Sequence, residues 1–253
     1  MLMTPHDYLV GVLQQQALSA QHVSTLRAQR ETIENWLRGR FGGGPRFYYA
    51  GSFGKQTMIR AAYDLDIVIY FPSTERATLH DLYWGIHRRL VDGSYQVVPR
   101  TVALRLPYNG PFHIDIVPGR AQDHTFRYAT LYKNQPDPST LQTSLKVHIE
   151  AVKDAGLSDL VRLMKLWRLR QNLSISTFAL EIVVARAMYN VTRSDLAACM
   201  LTVFRWIDAN LEEARLQDPA NTNNIVDVPP ADRFTAARAA RNALEAPSWG
   251  QII

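Results

Sequence analysis

The chain has 253 residues, 47% hydrophobic and 20% charged, which is ordinary for a globular protein with a sizeable core. Its net charge of +5 fits an anionic partner, such as nucleotide phosphates, and equally a solvated surface. A single cysteine, Cys199, excludes an internal disulfide, and we expect it to fill a core. The N-terminus lacks the pattern of a signal peptide, and no apolar run reaches the ~20 residues that span a bilayer. We therefore expect a cytoplasmic protein without a membrane partner.

The N-terminal half is predicted to mix helices and strands. Residues 5–40 have helical periodicity, which Gly42-Gly43-Gly44-Pro45 ends. A second helix is expected from the capping signal in Pro72-Ser73-Thr74-Glu75 to about Leu90. The Asn109-Gly110 pair predicts a hairpin turn between two strands. The β-like runs are 46–50, 64–71, 95–98, 101–106, 112–117 and 125–132.

The C-terminal half is predicted to be helical. The expected helices are 138–154, 157–172, 175–190, 194–213 and 231–246, and residues 218–230 read as a loop. The fold class is therefore α+β. The predicted division is a domain of residues 1–135, with an N-terminal helix and a mixed sheet, and a helical domain of residues 136–253.

Three acids stand out in the predicted strands. Asp64 and Asp66 are two residues apart, so their side chains share one face of a strand, while Leu65 and Ile67 face the core. Asp115 is a lone acid in a later strand. Clustered carboxylates repel one another unless a cation lies between them, and hard oxygen ligands suit Mg²⁺. Three such carboxylates can hold two divalent ions for phosphoryl or nucleotidyl transfer.

The stretch before these acids suits phosphate binding. The Gly51-Ser52 turn follows a β-like run and offers backbone N–H groups and a hydroxyl to phosphate oxygens. Gly51-Ser52, then Asp64-x-Asp66, then Asp115 on a later strand resembles the signature of polymerase-β-type nucleotidyltransferases.

Segments of the helical half are similar to a narrower group. Residues 160–170 resemble the first long helix after the catalytic domain in oligoadenylate-synthase-like enzymes. Residues 177–181, Thr-Phe-Ala-Leu-Glu, fit the segment that follows it there. The loop 218–226 resembles their Asp-Pro-x-x-Pro-x-Asn-Asn-Val loop, with Thr222 near the position of the second proline, and residues 248–253 resemble their terminal tryptophan motif. Together these point to the bacterial CD-NTases, relatives of oligoadenylate synthase and cGAS.

This resemblance implies a polymerase-β-like nucleotidyltransferase sheet packed against a C-terminal helical domain that closes the nucleotide cleft. It implies an enzyme that joins NTPs, ATP among them, into a cyclic or short linear oligonucleotide with release of pyrophosphate. The product would act on a downstream effector in anti-phage signalling. The implied cofactor is a pair of Mg²⁺ ions, with Mn²⁺ as a substitute.

The implied residue roles follow the motifs. Asp64, Asp66 and Asp115 are the expected catalytic residues and metal ligands. Lys165 lies on a basic stripe with Arg162 and Arg168, which a solvated helix face would also explain. Trp167 is expected in the core rather than stacked on a base, and Asn224 in a structural loop role rather than beside a base. Ser176 is expected either as a helix cap or at phosphate. The expected nucleotide-binding residues are Gly51, Ser52, Lys55, Thr57, Lys165 and Ser176.

The acceptor stays open at this point. The same fold transfers nucleotides to tRNA 3′ ends, proteins and small-molecule hydroxyls, and a non-catalytic nucleotide sensor is a further alternative. A nucleic-acid activator is also open, since a chain of charge +5 could be gated by one.

Overall fold

The computed structural model describes residues 3–108 and 112–253 and divides them into two compact units. The first, the sheet unit, consists of the described parts of Leu18–Gln56 and Ala62–Ile149. The second, the helical unit, consists of the described parts of Met1–Ala17, Thr57–Ala61 and Glu150–Ile253.

This division differs in two places from the expected one, which separates residues 1–135 from residues 136–253. Leu9 and Leu13 are buried in the core of the helical unit, so the N-terminal segment belongs there rather than with the sheet. Residues 139–143 belong to the sheet unit because they form a strand paired with Ala129–Lys133. The helix expected over 138–154 is therefore wrong in its first part. Its Thr-rich sequence takes the extended form that a neighbouring strand edge offers.

The single helix expected over 5–40 is also wrong. Two helices occupy this stretch, α1 at Pro5–Gln15 and α2 at Ala20–Phe41. The Ser19 hydroxyl accepts a hydrogen bond from the His22 backbone N–H and thereby begins α2, as an N-cap does. The shared amphipathic periodicity hides this break. Gly42, with a φ of 68°, ends α2 where the glycine run predicts.

Seven strands form the sheet of the sheet unit within the described residues. They are β1 Arg46–Tyr49, β2 Leu65–Phe71, β3 Val98–Pro99, β4 Leu104–Pro107, β5 His113–Ala121, β6 Ala129–Lys133 and β7 Ser139–Thr143. The central order is β1-β2-β5-β4-β3, and β6 joins the far half of β5 and carries β7. Strands β2 and β5 are parallel, and the other pairs are antiparallel.

The strand pattern explains which face is buried. Leu65, Ile67, Ile114 and Ile116 are completely buried on one face of the central pair. The predicted turn at Asn109-Gly110 lies outside the described residues, but the strands on either side pair in antiparallel fashion, as the turn predicts.

Four helices of the described residues accompany the sheet: α2, already given, α3 Gly51–Gly54, α4 Leu79–Asp92 and α5 Leu145–Ile149. Helix α4 begins later than the sequence indicates, because Thr78 is its N-cap and accepts from the Asp81 N–H. The Gly51-Ser52 turn is the first turn of α3.

The helical unit has one continuous apolar core, in which Trp167 and Phe204 lie with their ring centroids 5.2 Å apart. Trp167 and Cys199 are buried there, as expected. The predicted loop at 218–230 contains a hairpin between β8 Gln217–Asp218 and β9 Asn221–Ile225. The described helices of the helical unit are α1, a π-helical turn at Glu150–Asp154, α6 Ser158–Arg170, α7 Thr177–Ala187, α8 Leu196–Asn210, α9 Pro230–Glu245 and α10 Trp249–Ile252. None of the described helices combines the length and apolarity that crossing a bilayer requires.

Replacing Trp167 by alanine should lower the free energy of unfolding by about 3–5 kcal/mol, because it leaves a large cavity in this core. Leu169→Ala on the same helix is the control, since Leu169 is 39% exposed and should cost well under half as much. Urea unfolding of both variants measures the difference. Equal stabilities would mean that Trp167 is not a core residue.

Candidate active site

Two of the three acids are direct neighbours across the sheet. Asp66 on β2 pairs in register with Asp115 on the parallel strand β5. Side chains at paired positions of adjacent strands point to the same face, so the two carboxylates stand side by side. Asp64 immediately precedes β2, and its side chain is 39% exposed while that of Asp115 is 14% exposed. The structure therefore places Asp66 beside Asp115, with Asp64 just before β2; their role as metal ligands stays a prediction.

Along β2, Asp66 is followed on its own face by apolar and aromatic residues. Val68 and Tyr70 continue the face of Asp66 along β2, and both are buried in a small cluster with Ala129 and Leu131. Burial raises the pKa of Tyr70 to about 12, and its hydroxyl accepts a hydrogen bond from the Leu145 N–H. Along β2 itself, the charge on this face is thus confined to the end at which the strand begins.

Gly51 lies directly against the carboxylate of Asp66. It has a φ of 50°, and a Cβ atom added to it would lie 1.6 Å from Oδ2 of Asp66. The carbonyl of Asp66 also accepts a hydrogen bond of 2.9 Å from the Ala50 N–H. Only glycine fits here, both for its backbone conformation and for the carboxylate beside it. The Gly-Ser turn and the acid pair are therefore one packed site.

Ser52 follows Gly51 in the first turn of α3. Its hydroxyl oxygen is buried and has no hydrogen-bond partner among the residues that the structure describes. Buried polar atoms without partners are rare in proteins, and many lie where a ligand binds. Lys55, at the end of α3, is only 7% exposed, and its backbone N–H donates to the Gly51 carbonyl. The nucleotide-binding roles of Gly51, Ser52 and Lys55 stay predictions.

Arg105 is the residue that sequence reasoning missed. It lies on β4 directly opposite Asp115, on the side of β5 away from Asp66. Its Nε donates to Oδ1 of Asp115 over 2.8 Å and its Nη2 to Oδ2 over 2.7 Å. This hydrogen bonding raises the pKa of Arg105 above its usual value, and the charges of the three acids add to the effect. The available signal was a charged residue between Leu104 and Leu106 in a strand next to that of Asp115.

His113 lies between the first and third acids. Its Nε2 is 3.6 Å from Oδ2 of Asp64 and 3.7 Å from Oδ2 of Asp115. His113 and Asp115 are two residues apart on β5, so their side chains share one face of the strand.

Two further predicted residues meet within the helical unit. Nζ of Lys165 donates to the carbonyl of Thr57 over 3.0 Å and to its hydroxyl over 3.1 Å. Thr57 is completely buried, and Lys165 is 7% exposed. The contact of each with nucleotide stays a prediction, but their bond to one another is part of this unit's structure.

The basic stripe of α6 is not a solvated face. Arg162 donates to the carbonyl of Leu13 over 2.8 Å, and Arg168 donates to that of Ile175 over 2.6 Å. With Lys165, every member of the stripe therefore bonds to a backbone carbonyl of another segment. Each of these cations joins α6 to a neighbouring stretch of chain.

Ser176 and Asn224 have identifiable structural roles. The Ser176 hydroxyl accepts from the Ala179 N–H and caps α7. The side-chain amide of Asn224 donates to the buried carboxylate of Asp218 over 3.2 Å, which agrees with the structural role expected for it. Ser176 as a phosphate ligand stays a prediction beside its capping role.

The donor chemistry suits a hard divalent cation, with three carboxylates gathered at one end of a strand pair. Within residues 3–108 and 112–253, however, no three His, Cys, Asp or Glu side chains converge closely enough to hold one ion as they stand. Both oxygens of Asp115 are engaged by Arg105 instead. An ionised carboxylate has about four acceptor sites, so that fork leaves capacity for a cation. The residues therefore fit Mg²⁺ or Mn²⁺ in type and strand register.

The chain is similar in sequence to one characterised enzyme. No family model matches the chain. It is similar to the cyclic AMP-AMP-AMP synthase of Escherichia coli (strain MS 115-1), with 27% identity over 187 residues that cover 65% of this chain. The matched region spans 58% of that relative's length.

Solved structures share the fold over nearly the whole chain. CdnC of E. coli MS115-1 with ATP superposes with a TM-score of 0.77 at 21% identity, covering 98% of this chain and 94% of that one. Vibrio cholerae DncV cyclic AMP-GMP synthase, in complex with the linear intermediate pppA(3′,5′)pG, gives a TM-score of 0.78 at 16% identity, covering 96% and 92%. The predicted α+β nucleotidyltransferase fold is confirmed, as is the resemblance to bacterial CD-NTases.

Replacing Gly51 by alanine should lower the free energy of unfolding by about 1–3 kcal/mol, because the new methyl group meets the Asp66 carboxylate at an unfavourable φ. Gly43→Ala is the matched control, since a Cβ at Gly43 would meet nothing within 4 Å. Urea unfolding measures both. In an Asp66→Ala background the cost of the Gly51 change should shrink, and an unchanged cost would contradict the contact.

Replacing Lys165 by methionine should cost about 1–3 kcal/mol of stability, because the buried oxygens of Thr57 lose their donor. The exposed Lys153 of the same unit provides the control, Lys153→Met, with an expected change within about 0.5 kcal/mol. Thermal and urea unfolding compare the two variants. Equal stability would show that the Lys165–Thr57 bonds contribute nothing to folding.

Proposed function

We propose that this chain, which has the fold of the bacterial CD-NTases, is a nucleotidyltransferase that joins nucleoside triphosphates into a cyclic or short linear oligonucleotide. Each bond formed would release pyrophosphate. The observation that carries the proposal is the register of Asp66 with Asp115 on adjacent parallel strands, with Asp64 at the start of β2. A fold used for many chemistries does not by itself specify an activity, so the acid site is the stronger support.

The acids are the proposed metal ligands. Asp64, Asp66 and Asp115 would hold two Mg²⁺ ions, with Mn²⁺ as a substitute, which when bound neutralise the triphosphate and lower the pKa of an attacking hydroxyl. Three carboxylates at the same end of adjacent strands make an electrostatic site that favours multivalent cations. Asp66 is also followed along β2 by the buried Val68 and Tyr70, so one side of the acid site is apolar.

The reaction proposed is an in-line displacement at the α-phosphorus of an NTP. A ribose hydroxyl oxygen forms the new P–O bond, the bond between the α-phosphorus and the bridging oxygen breaks, and pyrophosphate leaves. Asp115 accepts the hydroxyl proton. A second displacement of the same kind, within the linear intermediate, would close the ring.

The remaining predicted residues would bind the triphosphate. The buried hydroxyl of Ser52 has a donor and lone pairs available to a phosphate oxygen. Gly51 permits close approach of the backbone beside Asp66. Lys55, Thr57, Lys165 and Ser176 are the proposed contacts to the phosphate chain, as the family resemblance implies. Their bonds in this structure do not conflict with that role, since an ammonium group has three donors and a hydroxyl has two lone pairs.

The proposed biological setting is nucleotide signalling. ATP is the first substrate to test, because the similar CdnC structure contains ATP and the similar E. coli enzyme is named for a product of three AMP units. A downstream effector that responds to the product, and a role in anti-phage defence, are what the resemblance implies and stay predictions.

The deciding experiment is incubation of the full chain with ATP, GTP, CTP and UTP and Mg²⁺ or Mn²⁺, followed by mass spectrometry after phosphatase treatment. We expect a phosphatase-resistant oligonucleotide. Asp66→Asn and Asp115→Asn should each lower product formation on the order of 10³-fold, because each removes charge from the acid cluster. Asp92→Asn, at an exposed acid ending α4, should leave it unchanged.

Two results would overturn the proposal. If pyrophosphate forms only when RNA or a protein is added, the acceptor is another hydroxyl and the chain is a different kind of nucleotidyltransferase. If NTPs bind tightly but are not turned over, and Asp66→Asn alters metal affinity alone, the chain is a nucleotide sensor.

A further inference from the structure

Arg105 engages Asp115 through both oxygens, and this contact has a fixed geometry. The two residues are register partners on β4 and β5, and the bonds of 2.8 and 2.7 Å form a parallel fork. A carboxylate held at both oxygens cannot rotate without breaking one bond. The side chain of Asp115 is 14% exposed and that of Arg105 is 32% exposed, so water competes only partly for the pair.

The position of Arg105 also matters to the other acids. Asp115 has Asp66 as its neighbour on one side and Arg105 on the other. The three carboxylates all contribute to the field at Arg105. A guanidinium in this place therefore offsets the repulsion among the three carboxylates. It leaves the side of Asp115 that faces Asp66 open.

We propose that Arg105 is a positioning residue that fixes the plane of the Asp115 carboxylate and sets the charge balance of the acid cluster. The proposal rests on the proposed nucleotidyl transfer. Because the fork uses one acceptor site on each oxygen, Asp115 keeps other acceptor sites for the hydroxyl proton and for a cation. Arg105 acts on the reaction through Asp115 and needs no contact with substrate.

Two substitutions separate geometry from charge. Arg105→Lys keeps the positive charge but has no planar fork, and Arg105→Gln removes the charge. Arg100→Lys is the matched control at an exposed arginine that directly follows β3. Each variant is measured for thermal stability, for kcat and KM with ATP, and for binding of Mn²⁺ alone by electron paramagnetic resonance.

We expect Arg105→Lys to lower kcat about 10- to 100-fold with KM changed less than about threefold, because orientation of Asp115 matters chiefly in the transition state. We expect Arg105→Gln to lower kcat at least as much while binding Mn²⁺ about three- to tenfold more tightly, because a repelling charge beside the acids is gone. Melting temperatures should stay within a few degrees of the wild type, as for a partly exposed pair.

Opposite changes in kcat and Mn²⁺ affinity would not arise from a site that is merely damaged, since damage lowers both. The proposal is overturned if Arg105→Lys keeps wild-type kcat, or if Arg105→Gln binds Mn²⁺ no more tightly than the wild type. If the wild type makes no product at all, the proposed function fails. The Mn²⁺ titrations then still decide whether Arg105 controls the charge of the cluster.

Discussion

The parallel pairing of β2 with β5 is the constraint on which the candidate site depends. It sets Asp66 beside Asp115 at the strand spacing of about 4.8 Å, where two ionised carboxylates repel each other. Backbone hydrogen bonds and the buried Leu65, Ile67, Ile114 and Ile116 hold the strands together against that repulsion. The fold thus stabilises an arrangement that the side chains alone would avoid, as functional sites often require.

The groups around the acids reduce this repulsion or leave room for the carboxylates. Arg105 supplies a positive charge from the adjacent strand, and His113 lies within 3.7 Å of two of the acids. Gly51 leaves room for the Asp66 carboxylate where any other residue would collide with it. Since each of these groups comes from a different element, the site is a product of sheet topology rather than of one local motif.

The helical unit shows how one pattern serves several physical purposes. The stripe of Arg162, Lys165 and Arg168 suggests either a phosphate-binding face or a solvated one, yet each cation donates to a backbone carbonyl of another segment. Long basic side chains can reach carbonyls of other segments while their stems pack on apolar surface. Through these bonds the first helix and residues 57–61 are joined to α6, although both lie far from it in the sequence.

The sequence by itself determined what periodicity and local chemistry encode: the α+β class, most of the C-terminal helices, Trp167 in a core, and the acids at 64, 66 and 115 as one set. Asp64 and Asp66 were recognisable because strand side chains alternate, and Gly51-Ser52 because turns restrict residue choice. Only the tertiary structure decided that residues 139–143 pair as a strand, that Ser19 divides the N-terminal stretch into two helices, and that Arg105 binds Asp115. Those outcomes depend on which strands become neighbours, and contacts distant along the chain leave no periodic signal in a single sequence.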